Sequence, residues 1–510
     1  MFDLGRTFLQ SLERRPNHLA IVDGEVRLSY AEWYERIRSV AGALAGLGLE
    51  PGDHLAVVLQ NRWEMATLHW ACQFLGVIVT PLNWRAKADE LEYCIIDANA
   101  RAIVFEAVSE DAVMGAPACR SIARIAVGGA KGGTHSFGDV IAGVPPAQVP
   151  SATAQDFSLM LYTSGTTGRP KGVPRRHGAE RAAALAHVAQ NQYAVGEVTL
   201  GVMPLYHTMG VRSLLAMAIV DGTFVCLPRF DVASALRLIH AEKVTNLYLV
   251  PTLYHDLVGH ADFARADVSS VKRIGFAGAP MNDALLKRLA GAFRPRLFVN
   301  HYGSSEIYTF SIDQDAPAKP GSAGRAGFNT RLRVVKLDAG NQESGPDARA
   351  TPGEEGQIIA DLAGDEAFEG YWKRPDADAK ALRSGWYFTG DTGYVDADGD
   401  LYVTGRVDDM IICGGENISP VDIESVLSLH PAVDEVAVAG LPDERWGQKV
   451  VAFVKAKAPV DAGGLDEYCR GSALPNYKRP REYVFVKAVP KSPVGKILRR
   501  KLIAGEYDKV

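Results

Sequence analysis

From Leu28 to Glu106 the chain alternates amphipathic helical patterns with short runs rich in β-branched residues. Tyr30–Leu47 carries apolar residues at helical spacing and is closed by the breaker Gly48-Leu-Glu-Pro-Gly52, and Trp63–Phe74 and Lys87–Ile96 repeat the helical period. Between them His54–Leu59, Val77–Leu82 and Ala102–Phe105 are continuous apolar runs, the pattern of strands buried on both faces. Strand and helix in alternation predict right-handed βαβ units on a parallel sheet. The rhythm resumes with helices over Glu180–Gln190, Val232–Ala241 and Met281–Ala292 and strands over Gly222–Leu227 and Asn246–Val250. Beyond about residue 320 the texture changes to Gly/Asp turns and short strands such as Arg331–Lys336 and Glu355–Ala360, which predict a small β subdomain. From Ile418 it changes again, to a helix over Pro420–Leu429, strands at Val433–Ala439 and Val450–Lys455 and a basic tail. The fold class expected is therefore α/β: a large N-terminal domain of parallel α/β subdomains with a small β subdomain, then a small, mobile α+β C-terminal domain. The boundary is expected within Gly405-Arg-Val-Asp-Asp-Met410, where turn formers and charges interrupt the pattern.

Size and composition agree and exclude several classes. A chain of 510 residues exceeds what one growing core accommodates, so more than one domain is expected. A formal net charge of −5 gives no reason to expect nucleic-acid binding. The first ten residues mix acid and base into an apolar pattern, predicting an amphipathic helix with no secretory h-region after it. No apolar run approaches the ~20 residues of a transmembrane helix. The six cysteines are scattered without a CxxC pair, so neither a zinc site nor a disulfide framework is indicated and a reduced, cytoplasmic setting is expected.

The stretch with the most chemistry is Tyr162-Thr-Ser-Gly-Thr-Thr-Gly-Arg-Pro-Lys171-Gly172. Its three glycines and four Ser/Thr residues supply backbone amides and hydroxyls, and Lys171 supplies a positive end, the properties that cradle a polyphosphate. It is not a Walker A loop, which needs Gly-Lys-Ser/Thr. By itself such a stretch is more often an ordinary surface loop. Five further segments change that balance: Pro204-Leu-Tyr-His207, Tyr302-Gly-Ser-Ser-Glu306, Tyr387-Phe-Thr-Gly-Asp391, Gly405-Arg-Val-Asp-Asp409 and Pro493-Val-Gly-Lys496.

In this order, and over essentially the whole chain, the six segments resemble the adenylate-forming superfamily of acyl-CoA synthetases, luciferases and peptide-synthetase adenylation domains. The texture of Gly201–His207 and of Gly405–Ile418 is most similar to the 4-chlorobenzoate-CoA ligase branch. The resemblance implies an ATP-dependent acid–thiol ligase. A carboxylate attacks the α-phosphate of MgATP to give an acyl-adenylate and pyrophosphate, and the thiol of coenzyme A then displaces AMP. It implies ATP, Mg²⁺ and coenzyme A as the molecules used with a carboxylic acid. Thr163, Ser164, Gly165, Thr166, Thr167, Gly168 and Lys171 would hold the phosphates. Glu306 would hold Mg²⁺, an oxygen ligand for a hard cation, and Ser305, where the superfamily usually has threonine, keeps a donor to the α-phosphate. Tyr302 would stack on adenine beside Gly278, Ala279 and Pro280, while Asp391 and Arg406 would clamp the ribose. Lys496 would reach the carboxylate and α-phosphate, where a cation offsets developing charge. Asp408 would be the hinge between residues 1–407 and 408–510. Gly414 and Gly415 would line the pantetheine path, with Trp446, Lys478 and Arg479 at the nucleotide end of coenzyme A.

The acid itself is the least legible part. The expected pocket is His207, Thr208, Met209, Tyr248, Leu249, Ala279, Ile307 and Tyr308, with His207 gating the ring; none of these is a lysine or arginine. A dicarboxylate would want a buried cation, so an aromatic or alicyclic acid is expected. Medium-chain fatty acids and carrier-protein loading are the alternatives, and no carboxylate suited to an amino-acid ammonium stands in Thr208-Met-Gly-Val211. The segment Pro490–Lys496 is similar to that of synthetases silenced by an acetyltransferase acting on the catalytic lysine. A homodimer is compatible with the sequence but nothing in it requires one.

Overall fold

The computed structural model describes residues 2–142, 150–163, 169–337, 344–414, 416–491 and 497–510, the side chains of Asp408 and Asn417 excepted. The apolar runs become the parallel strands their pattern demands. His54–Val58 and Ala102–Glu106 are buried at every position and pair with each other and, through His54–Val58, with Ile78–Pro81. The sheet runs on through Ala123–Val127 and His135–Ser136 on one side and Phe157–Thr163 and Lys171–Arg176 on the other. All neighbours are parallel except the last pair, an antiparallel hairpin.

A second sheet holds six parallel strands: Leu19–Asp23, Thr223–Cys226, Val198–Gly201, Asn246–Leu249, Arg273–Ala277 and Leu297–Tyr302. The late β-rich segment, expected as a subdomain of its own, is hydrogen-bonded into this sheet. Ser311–Asp313 and Ser322–Ala326 turn the ladder antiparallel, and Leu401–Arg406, Trp386–Val395, Gly356–Asp361 and Leu332–Val335 extend it. Among the described residues the result is one continuous 14-stranded sheet.

Helices cover these sheets. Tyr30–Gly46 starts with a reciprocal capping box between Ser29 and Glu32, and Trp63–Leu75 ends on Gly76 in the left-handed region. The N-terminal helix forms as expected, over Leu4–Arg14, and buries Phe8 within 5.0 Å of Trp70 and 5.5 Å of Trp33 between ring centroids. The chain leaves the large sheet at Arg406, makes a 3₁₀ turn over Val407–Asp409 and enters a five-stranded sheet at Ile411. That sheet packs on the helices Pro420–Leu427 and Ala462–Arg470 around a core of its own, which includes Ile423, Leu427, Val438, Val450 and Leu465. No helix among the described residues is long and apolar enough to cross a membrane.

Candidate active site

Open parallel sheets bind ligands beyond the carboxyl ends of their strands, and four of the singled-out segments emerge there. Thr163 ends Phe157–Thr163, Gly278 follows Arg273–Ala277, Val250 follows Asn246–Leu249 and Tyr302 ends Leu297–Tyr302. Thr163 and Lys171 are the last cross-strand pair of the hairpin, so they form the base of the glycine-rich loop. Ser164, Gly165, Thr166, Thr167 and Gly168 lie outside the described residues, as do Gly415 and Lys496.

Lys171 and Glu306 are brought together by a residue that the sequence reading missed. The Lys171 ammonium lies 3.9 Å from the centroid of the Tyr371 ring, and the Tyr371 hydroxyl donates to Glu306 Oε1 at 2.7 Å. Burial lowers the Lys171 pKa from its ordinary value, and the Glu306 charge opposes that shift. The Glu306 backbone is fixed as well: its carbonyl accepts from Arg175 Nη1 at 2.8 Å and from the Phe368 amide at 3.0 Å. The loop from Tyr302 to Phe310 is closed by the Phe310 amide on the Tyr302 carbonyl, 2.8 Å, and a Cβ at Gly303 would run into the Tyr308 carbonyl. Ser304 accepts from the amides of Glu306 and Ile307 at 3.2 and 3.4 Å, which leaves the half-buried Ser305 free of that capping task.

The ribose-clamp candidates meet as expected. Asp391 Oδ1 accepts from Arg406 Nη1 at 2.9 Å, and Oδ2 accepts from the Tyr302 hydroxyl at 2.6 Å. Burial and the Asp391 charge push the Tyr302 phenol well above its ordinary pKa, so it remains a donor. Tyr302 is half-buried between Gly303 and the strand end. Gly278, in the left-handed region at φ 84°, Ala279 and Pro280 form an exposed-to-half-buried edge on the neighbouring strand.

His207 caps the helix Thr208–Ile219, with Nδ1 3.4 Å from the Met209 amide. Burial, helped by Arg212, pulls its pKa down to about 4, so it is neutral at ordinary pH. Asn61 clamps the preceding turn, donating to the carbonyls of Gly201 and Met203 and accepting from the Leu205 amide at 3.0 Å. Thr208, Met209, Tyr248 and Tyr308 are buried around this helix. Two pocket assignments change. Ile307 packs instead with Val173, Phe310, Phe368, Tyr371 and Tyr387. Leu249 sits on the opposite face of its strand from Tyr248, because successive side chains alternate. The expectation of a pocket without a cation also changes: Arg212, buried on the same helix as Met209, donates to the Tyr308 carbonyl at 3.1 Å and to the Tyr248 hydroxyl.

In the small sheet a Cβ at Gly414, φ 65°, would come within 2.8 Å of the Trp446 ring. Lys478 and Arg479 do not join them: Lys478 pairs with Asp422 at 2.5 Å and Arg479 with Asp466 at 2.9 Å. The cations that flank Trp446 are Arg445 and Arg481, 4.8 and 5.5 Å from its centroid. The one group of three carboxylates close enough for a cation, among the described residues, is Asp396, Asp398 and Asp400. It is already filled by the Lys319 ammonium at 2.7, 2.8 and 2.5 Å. Glu306, a buried carboxylate beside Lys171, offers the oxygen donors that a hard cation such as Mg²⁺ takes.

A phosphate-type loop on one sheet, a carboxylate–tyrosine–arginine clamp on the other and a second small domain define a nucleotide-activating enzyme. The AMP-binding enzyme model matches residues 8–372 and the AMP-binding enzyme C-terminal domain model residues 422–496, and the chain belongs to this family. It is 34% identical to a 4-chlorobenzoate–CoA ligase of Arthrobacter sp over 96% of this chain and 93% of that one. It is 32% identical to a long-chain-fatty-acid–CoA ligase of Mycobacterium tuberculosis over 93% and 92%. Its fold superposes on an anthranilate CoA ligase solved with anthranoyl-AMP, TM-score 0.89, 27% identity, covering 99% and 97%. Within the family it is an AMP-forming acyl-CoA synthetase.

Proposed function

We propose that this ATP-dependent carboxylate–CoA ligase acts on an aromatic or alicyclic acid. The observation that carries the substrate class is the burial of Met209, Tyr248 and Tyr308 around the helix that the half-buried His207 caps, a ring-rich lining that suits a flat, rigid acyl group. The names of the 4-chlorobenzoate and anthranilate ligases support it; the long-chain-fatty-acid relative favours an alkyl acid as the second reading. In the adenylation half, the loop at Thr163–Lys171 and the Glu306–Tyr371–Lys171 group hold the triphosphate, Glu306 holding the Mg²⁺ that neutralises phosphate charge when bound. Asp391, fixed by Arg406 and Tyr302, accepts from the ribose hydroxyls, and Ser305 donates to the α-phosphate. The protein's contribution to such a transfer is positioning and charge rather than covalent chemistry. Lys496 supplies the last positive charge from the small domain, which would then turn about Asp408 to bring Gly414, Gly415 and Trp446 to coenzyme A. Acetylation of Lys496 would remove that charge and silence the enzyme.

The test is pyrophosphate release with MgATP across benzoate, substituted benzoates, cyclohexanecarboxylate, cinnamates, hexanoate and octanoate, with the acyl-CoA product confirmed by mass. The expected result is the highest kcat/KM for a ring acid. Hexanoate or octanoate exceeding every ring acid would sink the substrate reading.

A further inference from the structure

Behind Tyr248 the structure gathers polar groups that the reaction chemistry does not use. His187, on the helix His177–Gln190, and His301, one residue before the end of its strand, are both buried, with ring centroids 5.2 Å apart. Each ring also lies against Tyr248, at 4.9 and 5.2 Å. Asn191 sits between them. Its amide nitrogen lies 2.8 Å from the His187 carbonyl, 3.0 Å from His187 Nδ1 and 3.1 Å from His301 Nε2, and its Oδ1 lies 3.4 Å from His301 Nε2. With Nδ1 accepting from Asn191, His187 carries its hydrogen on Nε2, while the Asn191 amide serves His301 Nε2 in either tautomer. The outlying nitrogens are then His187 Nε2 and His301 Nδ1. Both atoms are buried without a partner, and so is Arg212 Nε, whose Nη atoms are taken up by Tyr248, Tyr308 and Thr309.

An orphaned buried polar atom is destabilising, because it has given up water without gaining a partner. Others occur elsewhere in the core, among them His54 Nε2, His69 Nε2 and both amide atoms of Gln190. Three around one tyrosine, beside the segments that would enclose the acid, call for a common partner. Charge restricts what that partner is. Burial and Arg212 hold His187 and His301 well below the ordinary histidine pKa, so both are neutral. The Arg212 charge is already faced by the buried Glu366, and Arg175 is paired with the buried Glu180 at 2.8 Å. No positive charge is left over for a second carboxylate. A hydroxyl satisfies the His187 N–H together with either an N–H or a bare nitrogen on His301, because it can accept twice and donate once.

We propose that the acid carries a ring hydroxyl on the side away from its reacting carboxylate, and that His187 and His301 are the specificity-determining residues that receive it, with Arg212 and Tyr248 framing the site. The inference rests on the ring-acid reading and narrows it. Sites built to hydrogen-bond a hydroxyl reject analogues that lack one far more strongly than apolar pockets reject a missing methylene.

The test measures kcat/KM in the pyrophosphate assay for isomeric hydroxybenzoates and hydroxycinnamates against their unsubstituted, methoxy, chloro and carboxy counterparts. The expected result is that one hydroxy acid exceeds its unsubstituted and methoxy counterparts by at least about tenfold, a difference of about 1.4 kcal/mol. In His187→Phe that ratio falls at least about tenfold, while His187→Gln, which keeps an N–H donor, retains more of it. Melting temperatures of both variants distinguish lost selectivity from lost fold. A carboxy-substituted acid preferred over every hydroxy acid overturns the proposal, as does a ring-acid profile blind to the hydroxyl or a ratio unchanged in His187→Phe. A fatty acid preferred over all ring acids overturns instead the reading on which it rests.

Discussion

At the scale of single residues the most consequential contact is the Tyr371 hydroxyl on Glu306 with the Lys171 ammonium over the same ring. Tyr371→Phe keeps the ring under Lys171 but leaves Glu306 unfixed. It is expected to lower kcat/KM for MgATP by about tenfold, with the Mg²⁺ requirement shifted to higher concentration; a tenfold change corresponds to about 1.4 kcal/mol, the size of a hydrogen bond to a charged group. Lys171 also sets a pH limit. Its lowered pKa means that the free enzyme loses this charge below the pH at which an ordinary lysine would. kcat/KM for MgATP is therefore expected to fall as pH rises through that lowered value, while kcat, measured with phosphates in place, persists to higher pH. Lys171→Arg, which stays charged, removes the limb if the assignment is right. The neutral His207 adds no inflection between pH 6 and 7. Lys171, Glu306 and Asp391 were legible because they sit in short contiguous motifs. Tyr371 was not, because it meets Glu306 from 65 residues away and nothing near it in sequence marks the meeting.

At the scale of elements, periodicity located the buried strands and amphipathic helices well, since burial on one or both faces imposes the period directly. It missed Lys171–Arg176, whose Lys-Gly-Val-Pro-Arg-Arg composition is that of a solvated loop. The chain is a strand there because it pairs with Phe157–Thr163, which buries Arg175 completely. Arg175 pairs with Glu180 at 2.8 Å and donates to the carbonyls of Glu306 and Glu366 at 2.8 and 2.6 Å. Glu180 lies five residues on, but the other two partners come from remote segments and have no local signature. Removing one member of a buried pair leaves the other uncompensated, so Arg175→Ala is expected to lower the unfolding free energy by about 3–5 kcal/mol. Urea unfolding followed by tryptophan fluorescence reads this; a midpoint unmoved by the substitution would show that Glu180 takes up a proton at no cost. The basic tail carries a similar lesson. Arg499, in a segment that composition alone makes a solvated patch, is held by both oxygens of Glu424 at 2.6 and 2.7 Å and lies 3.3 Å from Asp409. The partners are again invisible locally.

At the scale of the whole molecule the order of segments announced the architecture, and the chain passes from the large sheet to the small one between Arg406 and Ile411. What one dimension could not show is that the late β strands complete the second parallel sheet rather than standing apart, because strand adjacency is set by pairing across more than 60 residues. The two-domain scheme makes a prediction that separates the half-reactions. Lys496→Ala is expected to lose adenylation by orders of magnitude, read as pyrophosphate release, yet still transfer preformed acyl-AMP to coenzyme A. Normal adenylation by this variant would remove both the lysine assignment and the docking scheme built on it.

The strand Leu401–Arg406 belongs to the uninterrupted 14-stranded ladder, and its last residue grips Asp391. Five residues later, at Ile411, the backbone enters the small sheet. A cross-linked ladder of this width is stiff in its plane, so a rotation of the small domain as proposed would fall to the turn Val407–Met410. Its pivot would then stay within one side chain of the sugar that Asp391 is proposed to hold, the lever arm swinging while its bearing stays fixed to the substrate.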